Sequence, residues 1–234
     1  MTEEQLSSYD LVILGALLHD IGKFSQRAGI RCTAYEHFGE DDYGKHGAHS
    51  KWSAHFIEEY LPNDYHKTAS LVLYHHSPTP KKDELTKIIE TADRLSASER
   101  IQIEIGDPQK TRLLPILARI FRADWKEKGF QLNPLNINDN IMPQKPAIGD
   151  DLTNEYRELW NLFTNEVNEL KNKKLTFNAY FTTLYYLLQK YTWCIPSAVY
   201  SSEPDISLFD HLKTTAAIAA VIFKSKSNEK FRLI

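Results

Sequence analysis

Four places in this sequence put imidazoles and carboxylates where apolar side chains would be expected. His19 and Asp20 stand side by side after the uncharged run of residues 11–18. His75 and His76 follow LVLY, Asp93 sits on the apolar stripe of TADRLSA, and His211 follows Asp210 at the start of a late helical segment. A polar group on an apolar face is costly unless it is paired or ligated. Imidazoles and carboxylates together form the mixed nitrogen and oxygen set that suits divalent Mn, Fe, Co, Ni or Zn. Such an ion makes bound water acidic enough to act as a nucleophile at neutral pH, and it neutralises a phosphate. Neighbouring ligands on a helix point about 100° apart, so His19 and Asp20 can close on one ion or reach two. Lys23 lies four residues after His19 and three after Asp20, within their helical neighbourhood, and can hold a phosphate or a leaving oxygen. Gly22 lets the backbone turn or a substrate approach closely.

Each piece alone also has an ordinary reading. A His-Asp pair arises by chance, a His-His pair can cap a helix C-terminus, and Asp93 can pair with Arg94 or Arg100. His55 and His66 read as polar-face residues, and His37, in an acidic loop, as solvated. His46 reads as a ligand, a donor to a ligand, or neither. What sets the pattern apart is its order along the chain: His-Asp, then His, then His-His, then Asp.

The elements that must carry these residues are helical. Apolar spacing predicts helices over 9–18, 50–61 (stopped by Pro62), 66–76, 84–100, 152–170, 178–191 and 208–223. Between them, residues 101–151 hold five prolines and many Asn and Asp, and read as an irregular insertion or linker. It has one short helix at LLPILARIF and room for a short strand pair. The fold class is therefore mainly α. Hydrophobic residues make up 42% of the 234 and charged residues 25%, an ordinary globular composition. A net charge of -3 excludes a broadly basic nucleic-acid-coating protein, so phosphate binding must be local or metal-assisted. Two distant cysteines suggest neither a disulfide scaffold nor a zinc knuckle. The acidic N-terminus lacks the basic start of a signal peptide, and the apolar runs fall short of the ~20 residues that span a bilayer. These features predict a cytoplasmic chain with no membrane association.

The ordered pieces LGALLHDIGKFSQRAG, KHGAHSKWSAHF, LVLYHHS, ETADRLSASER and PDISLFDHLKTTAAIAA resemble the HD superfamily of metal-dependent phosphohydrolases. That superfamily places a histidine before its His-Asp pair, and none precedes His19 here. A matching helix with His211 lies near the C-terminus instead, which suggests a circularly permuted HD domain. In this order the sequence resembles the N-terminal HD domain of the large, polymerase-like, Csm-type subunit of type III-A CRISPR–Cas effector complexes. The resemblance implies a helical HD fold over 1–224 and a linker over 225–234 into a following domain. It implies a nuclease that hydrolyses single-stranded DNA with one or two divalent ions, Mn, Ni or Co. The implied metal ligands are His19, Asp20, His49, His75, His76, Asp93 and His211, with His49 preferred to His46 because His49-Ser50-Lys51 fits the family's His-Ser-Lys. His19, Asp20 and Lys23 are the implied catalytic residues, and Lys23 and Arg27 the implied phosphate contacts. The implied partners are single-stranded DNA, other Csm-type subunits and CRISPR RNA. No GGDD motif of the family's cyclase domain is present. Phe24, Tyr35 and Tyr74 are candidates for base stacking or, like other aromatics here, for the core. The alternatives are a non-catalytic docking module and an HD phosphohydrolase of nucleotides.

Overall fold

The computed structural model describes residues 6–44, 47–78, 82–97, 106–116, 127–137, 141–199 and 203–227. Nine helices lie within them: α1 (Ser8–Leu18), α2 (Gly22–Arg27), α3 (Glu40–Tyr43), α4 (His49–Tyr60), α5 (Lys67–Leu73), α6 (Glu84–Ser96), α7 (Thr153–Lys171), α8 (Phe177–Thr192) and α9 (Leu208–Ser227).

α1 starts at a reciprocal cap in which the Asp10 amide donates to Ser7 Oγ and the Ser7 amide donates to Asp10 Oδ2. Its residues Val12, Leu14, Ala16, Leu17 and Leu18 are fully buried, because α5, α6 and α9 all pack on it. A helix apolar on every face belongs inside the molecule. α2 follows after a tight turn made by three-residue bonds, from Ile21 N to Leu18 O and from Lys23 N to Asp20 O. Periodicity does not predict α2, since six residues opened by glycine give too short a pattern. Its Gly22 sits against α4, where the Gly22 amide donates to Ser53 Oγ at 2.8 Å. The substrate approach expected at Gly22 is therefore a helix–helix approach.

α7 lays Trp160 and Phe163 against Phe24 of α2 and Phe56 of α4, an aromatic core of edge and stacked pairs with centroids 5.0–5.9 Å apart. α5 is shorter than expected. It stops at Leu73, and Tyr74–His76 turn away from its axis. α9 runs on to Ser227, past the expected end at residue 223. In the irregular region the described residues make isolated antiparallel pairings, Thr111 with Ile148 and Gly129 with Gln144, rather than a strand pair. The helix expected at LLPILARIF does not form over Leu113 and Leu114. The Leu114 amide bonds Pro204 O, and Leu113 O accepts from Phe130. The rest of that segment from 117 on lies outside the described residues, as do His46, Arg100 and 228–234. No described helix is long and apolar enough to cross a membrane.

Candidate metal centre

The turn after α1, the start of α4, the turn after α5, the last turn of α6 and the first turn of α9 meet at one place. They bring His19, Asp20, His49, His75, His76, Asp93 and His211 together. Their ligand atoms form two groups, each within 4.8 Å: Asp20 with His49, His75 and His76, and His19 with Asp20, Asp93 and His211. Asp20 belongs to both. Its Oδ1 lies 2.7 Å from His49 Nε2, and its Oδ2 lies 3.1 Å from His211 Nε2 and 3.5 Å from His19 Nε2. Asp93 Oδ1 is 3.1 Å from His211 Nε2 and 3.4 Å from His19 Nε2, while its Oδ2 is 3.8 Å from His76 Nε2. All are buried except His76, which is half-buried.

The imidazoles are set by their other nitrogens. His19 Nδ1 donates to the Ala16 carbonyl at 2.8 Å, and His75 Nδ1 to the Val72 carbonyl at 2.6 Å. A carbonyl only accepts, so both rings turn a bare Nε2 lone pair into the cluster. His75 Nε2, His49 Nε2 and Asp20 Oδ1 are buried without a hydrogen-bond partner. His49 and Asp20 are close but misaligned for a bond. Buried polar atoms left unpaired are costly, and three of them converging on one point is the arrangement a divalent cation satisfies. The donor set therefore fits a divalent metal.

The electrostatics agree. Burial works against the charge on Asp20, but Lys23 and the surrounding histidines outweigh it and hold the carboxyl well below its usual range. Burial works against the charge on Asp93 too, but the His19 and His211 imidazoles beside it outweigh that and hold its carboxyl well below its usual range. Burial opposes charging of His19, which Asp20 and Asp93 overcome, so its pKa is raised. Burial depresses His49, burial and the neighbouring His76 hold His75 well below its usual value, and burial takes His76 down to about 3.

These directions predict how the metal-free protein answers acid. Below the ordinary histidine value of 6.5, the unfolded chain binds protons on His49, His75 and His76 that the folded chain refuses. Stability then falls with falling pH. His19 alone acts the other way among these four. The melting temperature of chelator-treated protein is expected to drop steadily from pH 6.5 towards about 3, the His76 value. A melting temperature that holds or rises over that range contradicts these burial effects.

Lys23 is at the rim, its Nζ 2.5 Å from Asp20 Oδ2 and donating to Ser197 O at 3.1 Å. Arg27, expected at the phosphate, is placed elsewhere. It is 5% exposed, donates to Pro196 O at 2.6 Å and lies over the Tyr156 ring, so its described partners are not members of the cluster. Lys23 and Arg27 thus hold two successive carbonyls of the strap that leads into α9. The strap is pinned from its other side by Ser197 N to Ile206 O and Leu208 N to Ile195 O. Asp93 does not pair with Arg94, whose partner is Glu90. His55, His66 and His37 stay out of the cluster; His66 bonds Leu61 O, and His37 is exposed against Phe38. Phe24 and Tyr35 are core residues, 0% and 8% exposed, which removes them as stacking platforms. Tyr74 is half-buried.

Residues 3–98 match the HD domain family. This span holds every cluster residue but His211, which comes from α9. The matched segment is an HD domain by that family's description. The remaining ligand helix, α9, comes from the C-terminal side and packs on both α1 and α6. A single-strand-specific deoxyribonuclease Cas10/Csm1 of CRISPR subtype III-A from Methanocaldococcus jannaschii is 34% identical, covering 96% of this chain and 29% of that protein. The crystal structure of Csm1 from T. onnurineus has the same fold, with a TM-score of 0.65 at 24% identity over 94% of this chain and 29% of that one. A Csm1–Csm4 subcomplex of a type III-A interference complex matches with a TM-score of 0.63 at 23% identity over 94% of this chain and 28% of that one. The chain thus spans less than a third of the relatives' length.

Proposed function

We propose that this HD domain is a metal-dependent nuclease that hydrolyses phosphodiester bonds of single-stranded DNA in type III-A CRISPR defence. The observation that carries it is the pair of ligand groups sharing Asp20, in a chain similar over 96% of its length to a single-strand-specific deoxyribonuclease. The two groups favour two ions, and the mixed nitrogen and oxygen donors suit Mn, Ni or Co. The first group is His19, Asp20, Asp93 and His211, the second Asp20, His49, His75 and His76. Bound there, divalent ions supply Lewis-acid stabilisation of phosphoryl oxygens and a more acidic water.

The chain's own residues supply the rest. His19, His49, His75, His76 and His211 present imidazole nitrogens, and Asp20 and Asp93 bring two negative charges to balance the cations. Lys23 puts an ammonium beside Asp20, where a non-bridging phosphate oxygen or the leaving sugar oxygen would gain charge. The permuted HD unit runs to the end of α9 at Ser227, in a chain that covers 29% of its relative's length, as one domain of a longer protein. The partners are single-stranded DNA and, through that longer protein, Csm-type subunits and CRISPR RNA, in the cytoplasm.

Lys23→Met is expected to slow cleavage by about 100-fold. It should leave divalent-metal affinity equal or tighter, since it removes a cation that competes for Asp20 Oδ2. Calorimetry with Mn2+ beside a cleavage assay separates the two effects; a variant that loses metal rather than rate shows Lys23 to be structural. The function itself is tested with Mn2+-loaded protein on labelled single-stranded DNA, duplex DNA and nucleoside phosphates. Preference for the single strand is expected. Turnover of nucleotides alone makes this a nucleotide phosphohydrolase, and no turnover of any of them makes it a docking module.

A further inference from the structure

Three of the five clustered imidazoles have a described second-nitrogen contact, and His211 differs from the other two. His19 and His75 donate Nδ1 to backbone carbonyls at 2.8 and 2.6 Å, which fixes their tautomer, although His75 Nδ1 also has Ser50 Oγ at 3.3 Å. His211 Nδ1 instead meets a hydroxyl, Ser96 Oγ, at 3.0 Å. A hydroxyl can donate or accept, so the tautomer depends on where the hydroxyl protons go. Ser96 Oγ also lies 2.8 Å from Thr215 Oγ1 and 2.9 Å from the Asp93 carbonyl. Thr215 Oγ1 in turn donates to the His211 carbonyl at 2.9 Å. With the Thr215 proton on that carbonyl and the Ser96 proton on the Asp93 carbonyl, the Ser96 oxygen keeps lone pairs for His211 Nδ1–H. Nε2 is then left bare towards Asp20, Asp93 and His19 Nε2, the last 3.2 Å away.

We infer that Ser96, backed by Thr215, is the positioning residue that fixes the ring and tautomer of His211 as a metal ligand. The inference rests on the metal-centre reading above. Ser96 ends α6 one turn beyond Asp93, and Thr215 lies one turn beyond His211 on α9. The hydroxyl pair therefore ties the ligand helix from the far end of the chain to the ligand helix of the matched HD span. Each hydroxyl also bonds the carbonyl of the cluster residue on its own helix. A shift of α9 relative to α6 would break the pair and swing His211 away from Asp93 together. Thr215 is fully buried and Ser96 half-buried, so the contact is partly sheltered from water that could replace it.

The test uses the whole chain and Zn2+ as the probe. Calorimetric Zn2+ affinity is expected to fall about 10–100-fold in Ser96→Ala. A smaller loss is expected in Thr215→Val, and Ser96→Thr should recover most of the affinity because it restores the hydroxyl. In parallel, histidine-labelled wild-type protein loaded with Zn2+ is read by two-bond proton–nitrogen NMR, with His211 expected to carry its proton on Nδ1. This readout decides the matter even where a variant fails to fold. Wild-type Zn2+ affinity in Ser96→Ala, no recovery in Ser96→Thr, or a His211 proton on Nε2 overturns the inference while leaving the metal centre standing. A wild-type chain that binds no Zn2+ removes the metal centre and this inference with it.

Discussion

Asp20→Asn is expected to weaken divalent-metal binding by at least about 100-fold, more than any single histidine replacement at the cluster. Asp20 is the residue that both ligand groups share. Its two oxygens face opposite ways: Oδ1 towards His49, Oδ2 towards His19, His211 and Lys23. Asparagine keeps the shape but offers one neutral acceptor, and turns an NH2 towards either an imidazole nitrogen or the Lys23 ammonium. Neither side can then be served as a carboxylate serves it. His76→Ala makes the comparison. His76 belongs to one group, and its side chain is 31% exposed, so water can take its place. Mn2+ calorimetry on both variants checks the order. An Asn variant that binds as the wild type does, or a His76 variant that loses more, contradicts the shared role of Asp20.

Gly22→Ala is expected to destabilise the protein by about 3 kcal/mol or more, at or beyond the upper end of ordinary overpacking. A Cβ at Gly22 would lie 2.1 Å from His49 O, 2.6 Å from Ser53 N and 2.7 Å from Ser53 Oγ. The first two are backbone atoms of α4, so no side-chain rotation relieves the clash. α2 would have to move off α4, and it carries Lys23 while α4 begins with His49. Stability and metal affinity should therefore fall together. The reduced entropy of the unfolded chain returns at most about 1 kcal/mol. Gly39→Ala is the control, with nothing within 4 Å of the added carbon. Urea denaturation of the two variants measures the difference. A Gly22→Ala protein as stable as Gly39→Ala contradicts the packing of α2 on α4.

The long helices were legible because apolar spacing over eleven or more residues leaves little choice, as in α1, α6 and α7. The ordered histidines and aspartates were legible for a different reason: buried polar groups are costly, so finding them on apolar faces marks a common destination. Residue type alone did not say which cation or ring faces that destination. Arg27 looks as available as Lys23 in sequence, yet one turn of α2 places it under the strap, bonded to Pro196. Phe24 and Tyr35 read as core residues with base stacking as the alternative, and the aromatic partners from α7 and the loop packing place them in the core. α2 itself was hidden because Gly22 reads as a break, whereas its missing side chain is what admits α4. Ser96 and Thr215 carried no signal, since two hydroxyls 119 residues apart acquire meaning only when α6 and α9 are set side by side.

The measurement that tests the central claim most directly is cleavage of labelled single-stranded DNA by the chelator-treated chain, before and after adding Mn2+, Ni2+ or Co2+, with Asp20→Asn alongside. Cleavage should be absent without metal, appear on its addition, and be lost in the variant under the same conditions. Cleavage that persists in the chelator or in Asp20→Asn, or a folded and metal-loaded wild type that leaves the strand intact, would contradict it.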